Sequence, residues 1–147
     1  MNAYLNQYKK NMMASTTPEQ ILVMLYDGAI RFVSQAQMAV LENNHEVRAK
    51  HINKTIAILS ELAAHLDHEI GGEIAANLDA LYHFMIKELC RANLRNNAKP
   101  LKVVESLLTE LRDTWKEAIR LTSEEKSAEA RDYEEPAEYR PLNIGAV

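Results

Sequence analysis

Only one cysteine, Cys90, stands in the chain, so no intramolecular disulfide can form and no cysteine pair can hold zinc. Glycine and proline, the two poorest helix formers, number four each, a scarcity that suits long helices. No run approaches the roughly 18 uncharged apolar residues that a membrane span needs. The opening stretch MNAYLNQYKKNMM has no apolar h-region, so no secretory signal is expected there. With cysteine so rare, the cytoplasm is the expected compartment. A glycine-rich phosphate loop and a Gly-x-Ser-x-Gly elbow are also missing. No basic face stands out, which argues against nucleic acid as the main partner.

What is present is enough for one core. The chain has 147 residues, 47% of them apolar and 26% charged, a globular composition that needs no covalent staple. The net charge of −4 is unevenly spread. From Ser123 onward three basic residues face seven acidic ones, so this tail carries the whole imbalance.

Apolar spacing predicts four helices, over about 18–42, 45–67, 73–94 and 100–121. The first opens on Thr17, Pro18 and Gln20, the pattern of an N-cap, a first-turn proline and a capping box. Leu22, Leu25, Ala29, Phe32, Val33, Ala36 and Val40 then recur at three- and four-residue steps. Asn43-Asn44 marks a turn, with Asn44 as the next cap. Ile52, Thr55, Ile56, Leu59, Leu62, Ala63 and Leu66 form the second stripe. Gly71-Gly72 is expected to break the chain. Ile74, Leu78, Leu81, Met85, Leu89 and Ala92 form the third stripe. After Asn96-Asn97 and Pro100, Leu101, Val104, Leu107, Leu108, Leu111, Trp115, Ala118 and Ile119 form the fourth.

Short connections make neighbours antiparallel. The expected fold is therefore all-α: an up-down four-helix bundle in a single domain over residues 1–122, with a loose N-terminal cap segment (1–16) and an acidic tail (123–147). The tail has too little apolar content to fold and is expected to be disordered.

Catalytic or metal chemistry finds little support. A di-iron carboxylate bundle needs two inward Glu-x-x-His motifs. The chain has one, at Glu42 and His45, and it straddles a turn. His65, Asp67, His68 and Glu69 form the densest potential ligand cluster, but it reads as a solvated helix end where positive charge suits the dipole. Cys90 reads as a small buried hydrophobe. No enzyme activity, metal or cofactor is expected.

The anomaly is apolar surplus. Ile21, Val23, Met24 and Tyr26 lie beside the first stripe, and Tyr82, Phe84 and Ile86 beside the third. A bundle helix needs one apolar face; a second must be covered by a deeper core, a second subunit or a partner chain. Tyr4, Leu5, Tyr8 and Met12 in the N-terminal segment have the spacing of side chains that dock in a groove, so the segment could lid such a surface until a partner displaces it.

Five stretches, in order over about residues 4–121, resemble the flagellin export chaperones, the FliS family. They are Ser15-Thr16-Thr17-Pro18, Met24-Leu25-Tyr26-Asp27-Gly28, the run from Gly71 to Leu78 with Leu81-Tyr82, Arg91 to Asn96, and Leu111 to Lys116. The resemblance implies a cytoplasmic chaperone that binds the disordered C-terminal segment of flagellin in apolar grooves. Premature polymerisation is thereby prevented, and the substrate stays competent for flagellar type III export. It also implies contact with the cytoplasmic domain of the export gate and, in some members, with an anti-sigma factor or co-chaperone. The candidate partner-binding residues are Tyr26, Asp27, Asn77, Leu78, Leu81, Tyr82, Met85, Leu89 and Asn93, with Phe84 and Ile86 adding groove surface and Tyr4, Leu5 and Tyr8 as the cap. Core packing is the competing role for the apolar ones. Asp27 is also placed to pair with Arg31 one turn on, and Trp115 is expected to anchor the core. Tyr82→Glu is expected to weaken binding more than stability. The alternatives are a homodimer or larger homo-oligomer that uses the surplus face for itself, and a metal-carboxylate bundle enzyme.

Overall fold

The computed structural model describes the backbone of residues 16–146 and the side chains of residues 16–132. The expected cap residues Tyr4, Leu5 and Tyr8 lie outside the described residues. Four helices follow one another: α1 (Pro18–Leu41), α2 (His45–Ala64), α3 (His68–Arg95) and α4 (Ala98–Ala146). No strand occurs among the described residues.

Each start has a local cause. At α1 the Thr17 hydroxyl accepts from the Gln20 amide (3.2 Å) while the Gln20 side chain accepts from the Thr17 amide (3.1 Å), so two orphan donors are satisfied reciprocally. Asn44 caps α2 by accepting from Val47 N at 3.2 Å. The α3 start differs from expectation. Asp67 Oδ1 accepts from the amides of Glu69 (3.1 Å) and Ile70 (3.0 Å), so the helix begins at His68, before the glycine pair. The chain then passes through Gly72 at φ 49°, ψ −123°, a kink inside the helix rather than its boundary. Only glycine tolerates that backbone cheaply. Because Asp67 serves α3, α2 ends earlier than expected, at Ala64. Asn43 (φ 55°) and Asn96 (φ 50°) take left-handed turns after α1 and α3, a conformation asparagine visits more readily than most residues.

The chain forms two compact units, which divide between Arg112 and Asp113. In the first, α1, α2, α3 and the opening turns of α4 make an antiparallel up-down bundle. Cross-links give the directions. Gln37 bonds Glu105 and Asp27 bonds Arg112, so α1 and α4 run oppositely. Arg48 near the start of α2 reaches Asn93 near the end of α3, so that pair is also antiparallel. The core is Tyr26, Ala29, Val33, Ala36 and Ala39 of α1, Ile52, Thr55, Leu59 and Leu62 of α2, Ala75, Tyr82, Met85, Leu89 and Ala92 of α3, and Leu101, Val104 and Leu108 of α4. Buried Thr55 is satisfied because its hydroxyl donates to the His51 carbonyl at 2.9 Å.

The second unit continues α4 from Asp113. There Arg120 donates to Glu117 and Glu124, each at 2.6 Å, and the bond from Arg120 holds the Glu117 carboxyl below its usual range. Trp115 is half-buried. Every described side chain from Leu121 to Asp132 is exposed. The described part of the acidic stretch thus buries nothing, which is the physical basis on which composition sets it apart.

Candidate partner-binding surface

Two polar contacts fix the helices that carry the candidate residues. Tyr26 and Tyr82, 0% and 1% exposed, hydrogen-bond each other through their hydroxyls at 2.5 Å across the bundle. Burial, then the bond to Tyr26, pushes the Tyr82 phenol far above its usual value. Asp27 accepts from Arg112 Nη1 at 3.1 Å, tying α1 to α4. The structure gives Asp27 this partner in place of Arg31, because Arg112 reaches it from the neighbouring helix.

At one end of the bundle the α1–α2 and α3–α4 turns are joined. Asn96 Nδ2 donates to Asn43 Oδ1 at 3.1 Å, and Arg48 donates to Asn93 Oδ1 (3.0 Å) and Asn96 Oδ1 (2.7 Å). Asn93 therefore serves a neighbouring helix. Asn77, at the other half of α3, is exposed.

The candidate apolar residues separate into two sets. Tyr26, Tyr82, Met85 and Leu89 are each 1% exposed or less. This corrects the partner-binding expectation for them: they form core, Tyr82, Met85 and Leu89 on the inner face of α3 and Tyr26 on that of α1, the two faces joined by the phenol bond. A partner cannot touch them in this arrangement. The second set is accessible. Ile74 is 70% and Phe84 44% exposed, while Leu78, Leu81 and Ile86 are half-buried. Ile74, which periodicity assigns to the core, is on the surface. Ile70, before the kink, is 88% exposed.

Helix geometry says which way this second set points. On α3, Asn93 marks the flank toward α2. Ile74 and Leu81, roughly a third of a turn round from Asn93, lie on the other flank, with Leu78 between them and that residue. On α4, Glu105 and Arg112 mark the flank toward α1. Val103, 44% exposed, and half-buried Leu107 lie on the other side of that helix. The short Asn96–Asn97 connection makes α3 and α4 neighbours. Their apolar flanks therefore turn toward one shared side, giving an apolar strip bordered by the amide of Asn77.

No group of three or more His, Cys, Asp or Glu side chains gathers as a metal site among the described residues. His65 instead shares its own turn with Glu61, its Nδ1 lying 2.8 Å from that residue's carbonyl. Cys90 is exposed rather than buried, since the core face of α3 passes through Leu89 and Ala92. No helix among the described residues is long and apolar enough to cross a membrane.

A helical scaffold with an accessible apolar strip is suited to binding another chain, and comparison says which scaffold it is. The profile of the family described as Flagellar protein FliS matches residues 1–122. The chain belongs to the FliS family. It is 36% identical to the flagellar secretion chaperone FliS of Salmonella typhimurium over 118 residues, 80% of this chain and 87% of that one. It is 35% identical to the flagellar secretion chaperone FliS of Campylobacter jejuni over 116 residues, 79% and 91% of the two chains. The Bacillus subtilis flagellar secretion chaperone FliS is 34% identical over 113 residues, 77% and 84%. Within this FliS-family chain, the MLYDG stretch supplies Tyr26 to the interior phenol pair, Asp27 to the α4 bridge and Gly28 to close contact with α2, where a Cβ would meet Ile58 Cδ1 at 3.6 Å.

Proposed function

We propose that this chain is a flagellar export chaperone that binds the disordered C-terminal segment of flagellin on the α3–α4 apolar strip. Membership of the FliS family and the names of its relatives support the export-chaperone role. The observation that carries the binding mode is the accessible apolar row Ile74, Leu78, Leu81 and Phe84. An amphipathic segment of the substrate would lay its apolar side there, as a helix in a groove. Asn77 would bond its backbone, while Tyr82, Met85 and Leu89 support the strip from beneath. Covering the filament-forming segment prevents polymerisation in the cytoplasm and keeps the substrate unfolded for type III export. Ordering a flexible chain is costly, so affinity requires a long contact. Residues 1–16, through Tyr4, Leu5 and Tyr8, act as a displaceable lid. The export-gate cytoplasmic domain, and an anti-sigma factor or a co-chaperone, are further partners. No enzymatic activity belongs to this role.

Calorimetric titration with a peptide of the flagellin C-terminal region tests the reading. Binding with a negative heat-capacity change is expected. Ile74→Asp should weaken it about tenfold, since covering such a side chain is worth on the order of 1–2 kcal/mol, yet leave stability within about 0.5 kcal/mol because Ile74 is largely exposed. Absence of heat at several temperatures, with light scattering showing a dimer that survives dilution, would give the strip to self-association instead.

A further inference from the structure

One cluster plays no part in that role. Phe32 is half-buried on the flank of α1 that packs against α2. Arg31 Cζ lies 5.4 Å from its ring centroid and Lys54 Nζ 5.1 Å, and the His51 ring stacks on it at 5.9 Å with the planes 18° apart. Lys50 stands one turn before Lys54. Arg31, Lys50 and Lys54 are exposed, and none forms an ion pair with a carboxylate among the described residues. Two cations from two helices thus seat on one aromatic ring, and Lys50 stands beside them, its charge acting on the stacked His51. The histidine among them carries the effect: burial, then Lys54 and Lys50, hold its imidazole below the ordinary value, and its buried Nδ1 has no hydrogen-bond partner.

We infer that this α1–α2 face docks a short acidic segment of a partner protein, with carboxylates lying across Arg31, Lys50 and Lys54 above Phe32. Charge complementarity selects the occupant. Seating two of the cations against the ring restricts flexible side chains in advance, which lowers the ordering cost of meeting a carboxylate. A long polyanion fits less well: the chain is net −4, so the attraction is local to this face and suits a short run of acids. The face lies on the α2 side of α1, away from the α3–α4 strip, and the inference does not depend on what the strip binds.

The test is an NMR titration of the full chain with an acetylated Glu-Glu-Ala repeat dodecapeptide. Amide shifts should concentrate on residues 31–35 and 47–58. Affinity should fall about tenfold between low and near-molar salt, where screening shortens from tens of ångströms to a few. Saturation should move the pH midpoint of the His51 ring signals upward as the lysines are neutralised. Lys50→Gln with Lys54→Gln should weaken binding at least tenfold, Phe32→Leu severalfold, and Lys99→Gln with Lys102→Gln not at all. Shifts spread equally over Lys87, Lys99 and Lys102, or no shifts at millimolar peptide, overturn the inference. So does tighter binding of a thymidine dodecamer to the same face, which would make it a site for nucleic acid.

Discussion

Replacing Tyr82 by phenylalanine isolates the interior phenol pair, because the ring keeps its place and only one hydroxyl leaves. Tyr26, 0% exposed, then keeps its phenol in the interior with one partner fewer. Losing a buried hydrogen bond costs about 0.5–1.5 kcal/mol. Taking about 1.5 kcal/mol, and a urea slope of about 2 kcal/mol per molar, the unfolding midpoint should fall by about 0.75 M. Tyr26→Phe should cost a similar amount. The double variant should cost clearly less than the two singles together, with a coupling of about 1 kcal/mol. Urea melts followed by far-UV circular dichroism give all four stabilities. Additivity within about 0.3 kcal/mol would refute the reasoning and show that the hydroxyls contribute independently. Alkaline pH probes the same bond. The folded-state phenol of Tyr82 is raised, so its contribution is complete below the unfolded value of about 10 and is lost as pH rises beyond it, when only the unfolded chain releases the proton. Tyr82→Glu, expected from the sequence to act mainly on binding, should unfold the bundle, because a carboxylate would enter a site 1% exposed.

Acid acts through His51. Its folded-state value lies below 6.5, so the unfolded chain takes up the proton first; stability is full above about 6.5 and declines as pH falls below it. His51→Gln should flatten that slope in thermal melts between pH 7 and 5. Gly72→Ala should destabilise by about 1–3 kcal/mol although nothing lies within 4 Å of the added Cβ, because the strain is in the backbone at φ 49°; an unchanged urea midpoint would mean that the kink relaxes.

Local signals in this sequence were legible, and long-range choices were not. Thr17, Pro18, Gln20 and Asn44 act where their spacing places them, since capping is decided within one turn. Asp67 was missed as a cap. The glycine pair after it looks like a break, but two glycines cost only about 2 kcal/mol in a helix, and a cap plus packing outweigh that. The four-helix, antiparallel architecture follows from periodicity and short turns. The division of α3 between core and surface does not. Ile74 and Met85 are equally apolar and both lie on a stripe, yet one is 70% exposed and the other fully buried. Eleven residues apart, they lie on nearly the same side of the helix; what separates them is level along it, since Met85 sits one turn from Tyr82, which meets Tyr26 of α1, while Ile74 stands about two turns nearer the α3 start, and that depends on partners distant in sequence. The cation cluster was hidden for the same reason: Arg31 and Lys54 are ordinary surface residues until two helices bring them to one ring, with Lys50 beside the stacked His51.

The joined turns at Asn43 and Asn96 also bear on how the bundle assembles. Nearly all of the helical hydrogen bonding is local, whereas the Asn43–Asn96 bond closes a separation of 53 residues and Arg48–Asn96 one of 48. Closing a loop of that length costs entropy that nearby contacts do not. These bonds therefore belong late in folding, after the α1–α2 and α3–α4 hairpins have formed and begun to dock. Weakening them should leave the folding rate nearly unchanged and speed unfolding, the behaviour of contacts absent from the transition state. The joined turns thus set how long the folded bundle lasts more than how fast it forms.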